Sequence, residues 1–117
     1  MHAFDVLGDP VRRRILELMA VDETSHGLSA GDITQIVQSE FGITQPAVSR
    51  HLRVLRESSF ATVTVDGQRR LYAVDPEGLQ EVDQWLERYR RFWTQRLDAL
   101  DTELRRGKST RRRKGSR

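Results

Sequence analysis

Cysteine is absent from the 117-residue chain. The protein therefore has no disulfide, thiolate metal site or cysteine nucleophile, and no thiol that could sense redox state. No apolar run approaches the roughly eighteen residues of a membrane-spanning helix, and the N-terminus lacks the charged-then-apolar order of a signal peptide. We therefore expect a cytoplasmic protein with no membrane partner.

Aromatic residues make up only 7% of the composition, whereas charged residues make up 32%. A chain of this length and composition predicts one domain with a modest core, which a partner subunit would help to complete. There is no glycine-rich phosphate loop and no interpretable arrangement of serine, histidine and carboxylate. We therefore predict that the protein is not an enzyme and has no cofactor.

Charge is distributed unevenly along the chain. The segment from Arg105 to Arg117 contains eight basic residues and no acid, so residues 1–104, with 12 basic and 17 acidic residues, carry −5. Residues 44–72 differ from that body, because they contain five arginines against Glu57 and Asp66. This local +3 makes residues 44–72 the best candidate for nucleic-acid contact.

Capping signals predict three helices after a short helical segment at residues 3–7. Asp9-Pro10 predicts a helix over residues 10–20, and Ser29 predicts one that ends near Phe41-Gly42. Thr44 is expected to cap the next helix, in which Val48, Leu52 and Leu55 form the inward stripe. Residues 21–27 are polar and predict a surface loop.

The pattern then changes to that of strands. Residues 61–65 and 71–74 are rich in β-branched and aromatic residues, and Asp66-Gly67 between them is a hairpin turn signal. Asp75-Pro76 begins a helix of about thirty residues, and residues 107–117 are expected to be disordered. The predicted fold class is mainly α with a small β-hairpin wing, a winged helix-turn-helix with a long C-terminal dimerisation helix. Its predicted parts are a DNA-binding and dimerisation domain (1–106) and a basic tail (107–117).

The predicted order of elements, helix, loop, helix and hairpin, is typical of proteins that bind in the DNA major groove. The N-terminal turns of the second helix reach base edges, where arginine can pair with guanine and glutamine with adenine. The hairpin would add phosphate or minor-groove contacts. The candidate contacts to double-stranded DNA are Gln45, Ala47, Ser49, Arg50, Arg53, Arg69 and Arg70. Alternatively, these arginines form a solvated face.

Three segments together resemble the ArsR (arsenic-repressor) family of bacterial winged-helix regulators. They are residues 9–16 (DPVRRRIL), 45–55 (QPAVSRHLRVL) and 66–72 (DGQRRLY). The resemblance implies a homodimer that binds an imperfect inverted repeat and blocks transcription, often of its own operon. It also implies that Gln45, Ser49 and Arg50 contact bases or nearby phosphates and that Arg69 and Arg70 serve the wing.

Some residues depart from the family pattern. Metal-sensing members carry paired cysteines before the recognition helix or Asp/His clusters on the last helix, whereas residues 33–38 and 85–104 contain neither cysteine nor histidine. We therefore predict no metal site, and we expect His51 to be a packed or phosphate-contacting residue. Ser59 stands where the family commonly has the left-handed glycine that ends the recognition helix.

The long helix carries an apolar and aromatic stripe that one small domain cannot cover. The predicted dimer interface consists of Leu79, Val82, Trp85, Leu86, Tyr89, Phe92, Trp93, Leu97 and Leu100. Alternatively, the aromatics pack on the protomer's own N-terminal helix. A different class of function, a winged-helix module that binds protein without reading DNA, also remains open, as does an unknown small-molecule inducer.

Overall fold

The computed structural model describes residues 1–21 and 27–115, with side chains for residues 1–21 and 27–107. Its helices are α1 (Ala3–Leu7), α2 (Pro10–Val21), α3 (Ala30–Phe41), α4 (Gln45–Glu57) and α5 (Pro76–Gly115). The strands are β1 (Leu28–Ser29), β2 (Ala61–Asp66) and β3 (Arg69–Val74). This order confirms the predicted fold class. The chain forms two compact units, Met1–Val82 and Asp83–Arg117.

Four helices begin where the capping signals predict. In each case a side-chain oxygen accepts a hydrogen bond from a backbone N–H of the first turn, which would otherwise have no intrahelical partner. The four oxygens belong to Asp9, Ser29, Thr44 and Asp75, with donor–acceptor distances of 2.8, 3.1, 3.3 and 3.0 Å. The helix starts are thus set by local chemistry that the sequence displays.

The core of the first unit is formed by apolar side chains from all of its helices and from the sheet. Its largest fully buried members are Val6, Ile15, Ile33, Val37, Val48, Leu55 and Phe60. The predicted inward stripe of α4 is confirmed, because Val48, Leu52 and Leu55 are all buried. The helical spacing of Ala30, Ile33, Val37 and Phe41 predicts a second buried stripe on α3, but Phe41 is 38% exposed. It lies in the last turn of α3, just before Gly42, where the core covers only part of the ring.

Two arginines of α2 hold the short helix α1. Arg12 donates from Nε to the carbonyl of Val6 (2.8 Å) and from Nη2 to that of Asp5 (2.9 Å), while Arg13 donates to the carbonyl of Leu7 (2.6 Å). The last carbonyls of a helix have no intrahelical partner, so these guanidinium groups satisfy them. A helix of five residues, too short to be stable alone, is thereby fixed to the next one.

The sheet is antiparallel, with strand order β1-β3-β2. The hairpin pairs Asp66 with Arg69 and Val65 with Arg70, as the turn signal predicts. Strand β1, which pairs with Leu71 and Tyr72 of β3, was not predicted from the sequence. Gly27 precedes it with a φ of 111°, and a Cβ there would lie 2.8 Å from the carbonyl oxygen of Tyr72, so only glycine fits this approach.

Helix α4 ends in a corner built around Ser59. Its φ is 62°, so Ser59 adopts the left-handed conformation. The resemblance to the family predicts that conformation here, since the family commonly has a glycine at this position. The Phe60 N–H donates to the Leu55 carbonyl (2.8 Å) and the Ser59 N–H to that of Arg56 (3.2 Å), which together form a Schellman motif. Gly78, in the first turn of α5, donates to the Ser59 carbonyl (2.7 Å). A Cβ on Gly78 would lie 2.6 Å from the Phe60 ring, so this contact also requires glycine.

The end of α5 differs from the prediction. The expected disorder after residue 106 is wrong for the backbone of residues 107–115, because the helix continues to Gly115. Arginine and lysine have high helix propensity, and no proline follows Gly107 to stop propagation. The separate role assigned to residues 107–117 stays a prediction. In the predicted loop at 21–27, residues 22–26 lie outside the described residues.

Candidate DNA-binding surface

Helix α4 presents its first two turns on the surface of the first unit. Its buried stripe fixes its rotation, and Thr44 together with Pro46 defines its start. The Gln38 side chain donates from Nε2 to the Ile43 carbonyl (3.3 Å) and so holds the connection between α3 and α4. The guanidinium of Arg14 pairs bidentately with the Glu40 carboxylate (2.8 and 2.9 Å), joining α2 to α3 on the outside. That pairing raises the pKa of Arg14 and lowers the pKa of Glu40.

The candidate contact residues of α4 occupy two neighbouring faces. Gln45, Ser49 and Arg53 are exposed and line one side, along a cleft between α3, α4 and β3. Arg50 is exposed as well but does not line that cleft, since it lies about 140° around the helix from Gln45. Ala47 is half-buried. The surface therefore offers two separate rows of donors rather than one cluster.

The wing places its two arginines at the start of β3. Arg69 and Arg70 are both exposed and point to opposite faces of the hairpin, because side chains alternate along a strand. Arg70 lines the same cleft as Arg53, and Arg69 does not. The structure thus brings Arg70 of the wing together with Gln45, Ser49 and Arg53 of the helix.

The arginines of this surface form no ion pair in the described part of the chain. The ion pairs among the described residues involve His2, Arg14, Arg90 and Arg105, and none involves Arg50, Arg53, Arg56, Arg69 or Arg70. Exposed cations without internal partners are available to an external anion. This finding separates the surface from the exposed ion pairs found on α2, α3 and α5.

His51 is a packed histidine on the flank of α4, as expected. It is half-buried, and its Nδ1 lies 3.3 Å from Nη1 of Arg12. Burial lowers its pKa; Asp9 opposes that shift, and the positive charges of Arg12 and Arg50 add to it. The imidazole is therefore held neutral and can accept a hydrogen bond from Arg12. Sequence reasoning missed this contact between the start of α2 and the recognition helix.

Helix α5 exposes most of the predicted dimer interface. Seven of the nine residues, Leu79, Trp85, Tyr89, Phe92, Trp93, Leu97 and Leu100, are exposed, and Leu86 is half-buried. Val82 is half-buried because it packs against the core of the first unit. The rings of Trp85 and Tyr89 are 4.8 Å apart, and the Arg96 guanidinium lies 5.0 Å from the Phe92 ring centroid. The exposed stripe is therefore large and rich in aromatic residues.

The chain is similar to known regulators over most of its length. A family model described as a helix-turn-helix domain matches residues 7–64. The HTH-type transcriptional regulator Rv2034 of Mycobacterium tuberculosis is 35% identical over 97 residues, which cover 82% of this chain and 79% of that protein. The arsenical resistance operon repressor of Staphylococcus xylosus is 30% identical over 70% of this chain and 71% of its own length. The chain belongs to the ArsR family.

A solved structure supports the same assignment. It is described as a possible transcriptional regulator for arsenical resistance, is 29% identical, and covers 76% of this chain and 84% of its own, with a TM-score of 0.60. The ArsR-type fold predicted from the motifs is thus confirmed. The protein is a winged helix-turn-helix regulator.

The described residues of this ArsR-family chain form neither a metal cluster nor a membrane span. Those residues contain no group of three or more histidine, cysteine, aspartate or glutamate side chains arranged to hold a metal ion. None of the described helices combines the length and apolar character needed to cross a bilayer. The candidate sites that remain are the DNA-binding surface and the apolar stripe of α5.

Proposed function

We propose that this ArsR-family protein is a homodimeric repressor that binds an inverted-repeat operator in double-stranded DNA, including one in front of its own operon. The observation that carries the proposal is the set of exposed donors on two faces of α4, beside the wing. Gln45, Ser49 and Arg50 lie in the first two turns, the part of a recognition helix that reaches base edges. Repression is supported by the related protein of Staphylococcus xylosus, which is named as an operon repressor.

The apolar stripe of α5 supports a homodimer. Trp93, Phe92 and Leu97 are each more than half exposed, which a soluble protein avoids unless another surface covers them. A second copy presents the same stripe, and a two-fold axis would let the two stripes cover each other. Two-fold symmetry would also present two recognition helices to successive major grooves, roughly 34 Å apart, which an inverted repeat requires.

Arg50 is the residue that we expect to separate specific from general binding. It lies at the leading end of α4, is exposed, and has no described ion-pair partner. A bidentate contact to a guanine is worth about 1–3 kcal/mol of discrimination. Arg50→Ala should therefore weaken operator binding by that amount per half-site and weaken binding to random duplexes much less.

The test begins with selection of bound sequences from a random duplex library and with the DNA upstream of the protein's own gene. Wild type, Arg50→Ala and the control Arg91→Ala are then titrated on the selected sequence and on a shuffled one. Arg91 is also exposed but lies on α5, opposite the aromatic stripe. Failure to enrich any sequence would refute specific DNA binding and favour the protein-interaction module. Equal losses on both duplexes would refute base reading by Arg50.

A further inference from the structure

One cleft of the candidate DNA-binding surface is lined by Arg56, which is not among the contact residues predicted from the sequence. The cleft, of about 600 Å³, lies between α3, α4 and β3. It is lined by three guanidinium groups and three side-chain amides: Arg53, Arg56, Arg70, Gln35, Gln38 and Gln45. Aspartate and glutamate are absent from its lining. All of the charged side chains that line the cleft are therefore cations.

These three arginines come from different parts of the chain. Arg53 and Arg56 lie three residues apart on one side of α4, and Arg70 approaches from the wing across the cleft. Like charges brought to one cleft repel each other, and none of these three arginines forms an ion pair with a described carboxylate. An arrangement of this kind is stabilised by an anion with several acceptor oxygens, which arginine binds through its planar fork of N–H groups.

The position of Arg56 selects the kind of anion. Arg56 is eleven residues after Gln45, so it lies about 16 Å further along the helix axis. The N-terminal turns of a recognition helix reach the bases, and residues this far along it lie beside the sugar-phosphate backbone. Gln38, which forms another wall, is already engaged with the Ile43 carbonyl, so its amide shapes the cleft and the arginines supply the binding.

We propose that this cleft seats a phosphate of the DNA backbone, clamped by Arg56 with Arg53 and Arg70. The inference rests on the proposed function and deepens it, because it divides the arginines by role. Arg50, on the other face of α4, reads bases, whereas the clamp sets the depth and register of α4 irrespective of sequence. Arg53 and Arg70 thereby become backbone contacts, and Arg56 joins the site.

Arg56→Gln tests the clamp, with Arg91→Gln as the matched control and Arg56→Lys as a variant that keeps the charge. Arg56 is exposed and has no described ion pair, so thermal unfolding of Arg56→Gln should match wild type. Affinity is measured at several chloride concentrations on the selected operator and on a shuffled duplex. Each lost phosphate contact should flatten the slope of log affinity against log salt by about 0.9 and weaken binding about five-fold at 0.15 M salt.

For a dimer with two half-sites, Arg56→Gln should flatten the slope by about 1.8 on both duplexes, and Arg56→Lys should restore most of it. A second measurement places single neutral methylphosphonates along the operator. We expect one position per half-site at which the substitution weakens wild type but weakens Arg56→Gln no further, because the same contact has already been lost.

Three results would overturn the clamp. An Arg56→Gln slope equal to that of wild type and Arg91→Gln would show that no phosphate is bound there. A loss on the operator alone would make Arg56 a base-reading residue. Binding of inorganic phosphate to wild type, absent in Arg56→Gln, that leaves DNA affinity unchanged at equal ionic strength would make the cleft a site for a free anion and not for the DNA backbone. In all three cases wild type still binds its selected sequence, so the proposed function stands; loss of that binding itself would refute both.

Discussion

The left-handed conformation of Ser59 makes a quantitative prediction about stability. An L-residue in this region is strained by roughly 1–2 kcal/mol relative to glycine, and Ser59 has a φ of 62°. Glycine would remove that strain but would lose more backbone entropy on folding, at a cost of about 0.5–1 kcal/mol. Ser59→Gly should therefore raise the free energy of unfolding by up to about 1 kcal/mol.

The neighbouring serine supplies a matched control. Ser58 has a φ of −94° and a ψ of 9°, which any residue can adopt. Ser58→Gly therefore relieves no strain and should lower the free energy of unfolding by about 0.5–1 kcal/mol, because only the entropy cost remains. The two substitutions are chemically identical and adjacent, yet they should have opposite signs.

Thermal unfolding followed by circular dichroism measures both effects. For a chain of this size a change of 1 kcal/mol moves the melting temperature by about 3–6 °C. Protein concentration is held constant, since association of protomers would make the melting temperature depend on it. A fall in melting temperature for Ser59→Gly, equal to that of Ser58→Gly, would show that Ser59 has negative φ and that α4 ends elsewhere.

Three further predictions concern pH, assembly and metals. Burial lowers the pKa of His51, so below the ordinary histidine pKa of about 6.5 the unfolded chain binds more protons than the folded one. The contribution of His51 to the free energy of unfolding should therefore be complete above that pH and decline on acidification. Urea unfolding at pH 5.5 and 7.5 would measure this decline, which should be smaller in His51→Gln. Trp93→Asp should shift sedimentation toward a 13.6 kDa monomer, whereas Gln95→Asp, off the apolar stripe, should not, and a monomeric wild type would refute the dimer. DNA affinity should be indifferent to zinc, cadmium, arsenite, chelators and reductants, and a reproducible specific loss with any of them would contradict the absence of a metal or thiol sensor.

The elements that sequence reasoning located depend on local chemistry. Four helices, α2 to α5, each start at a side chain that accepts a hydrogen bond from an N–H group two or three residues later. These starts can therefore be predicted from the sequence without knowledge of the fold. The hairpin is equally local, since Asp66-Gly67 lies between two β-rich runs. The exposed face of α4 then follows from its buried stripe, and the candidate residues Gln45, Ser49, Arg50 and Arg53 are all exposed.

What sequence reasoning missed depends on contacts between distant segments. Strand β1 has two residues and no periodicity of its own, and it exists because β3 offers it a partner more than forty residues later. The contact of Arg12 with His51 joins residues 39 apart. The cationic cleft requires three elements to be in place before Arg56 and Arg70 can be recognised as neighbours. Only the positions of those arginines, and not their proximity, are visible in the sequence.

The close contact of Gly78 with Phe60 and Ser59 has a mechanical consequence. The first turn of α5 is both hydrogen-bonded to the corner that ends α4 and packed against the ring that closes the core there. With no side chain at Gly78, little free space separates the two, so this turn cannot rotate without displacing Phe60. The joint therefore behaves as a rigid coupling and not as a hinge. Torque applied to the first turn of α5 would be carried directly to the C-terminal end of α4.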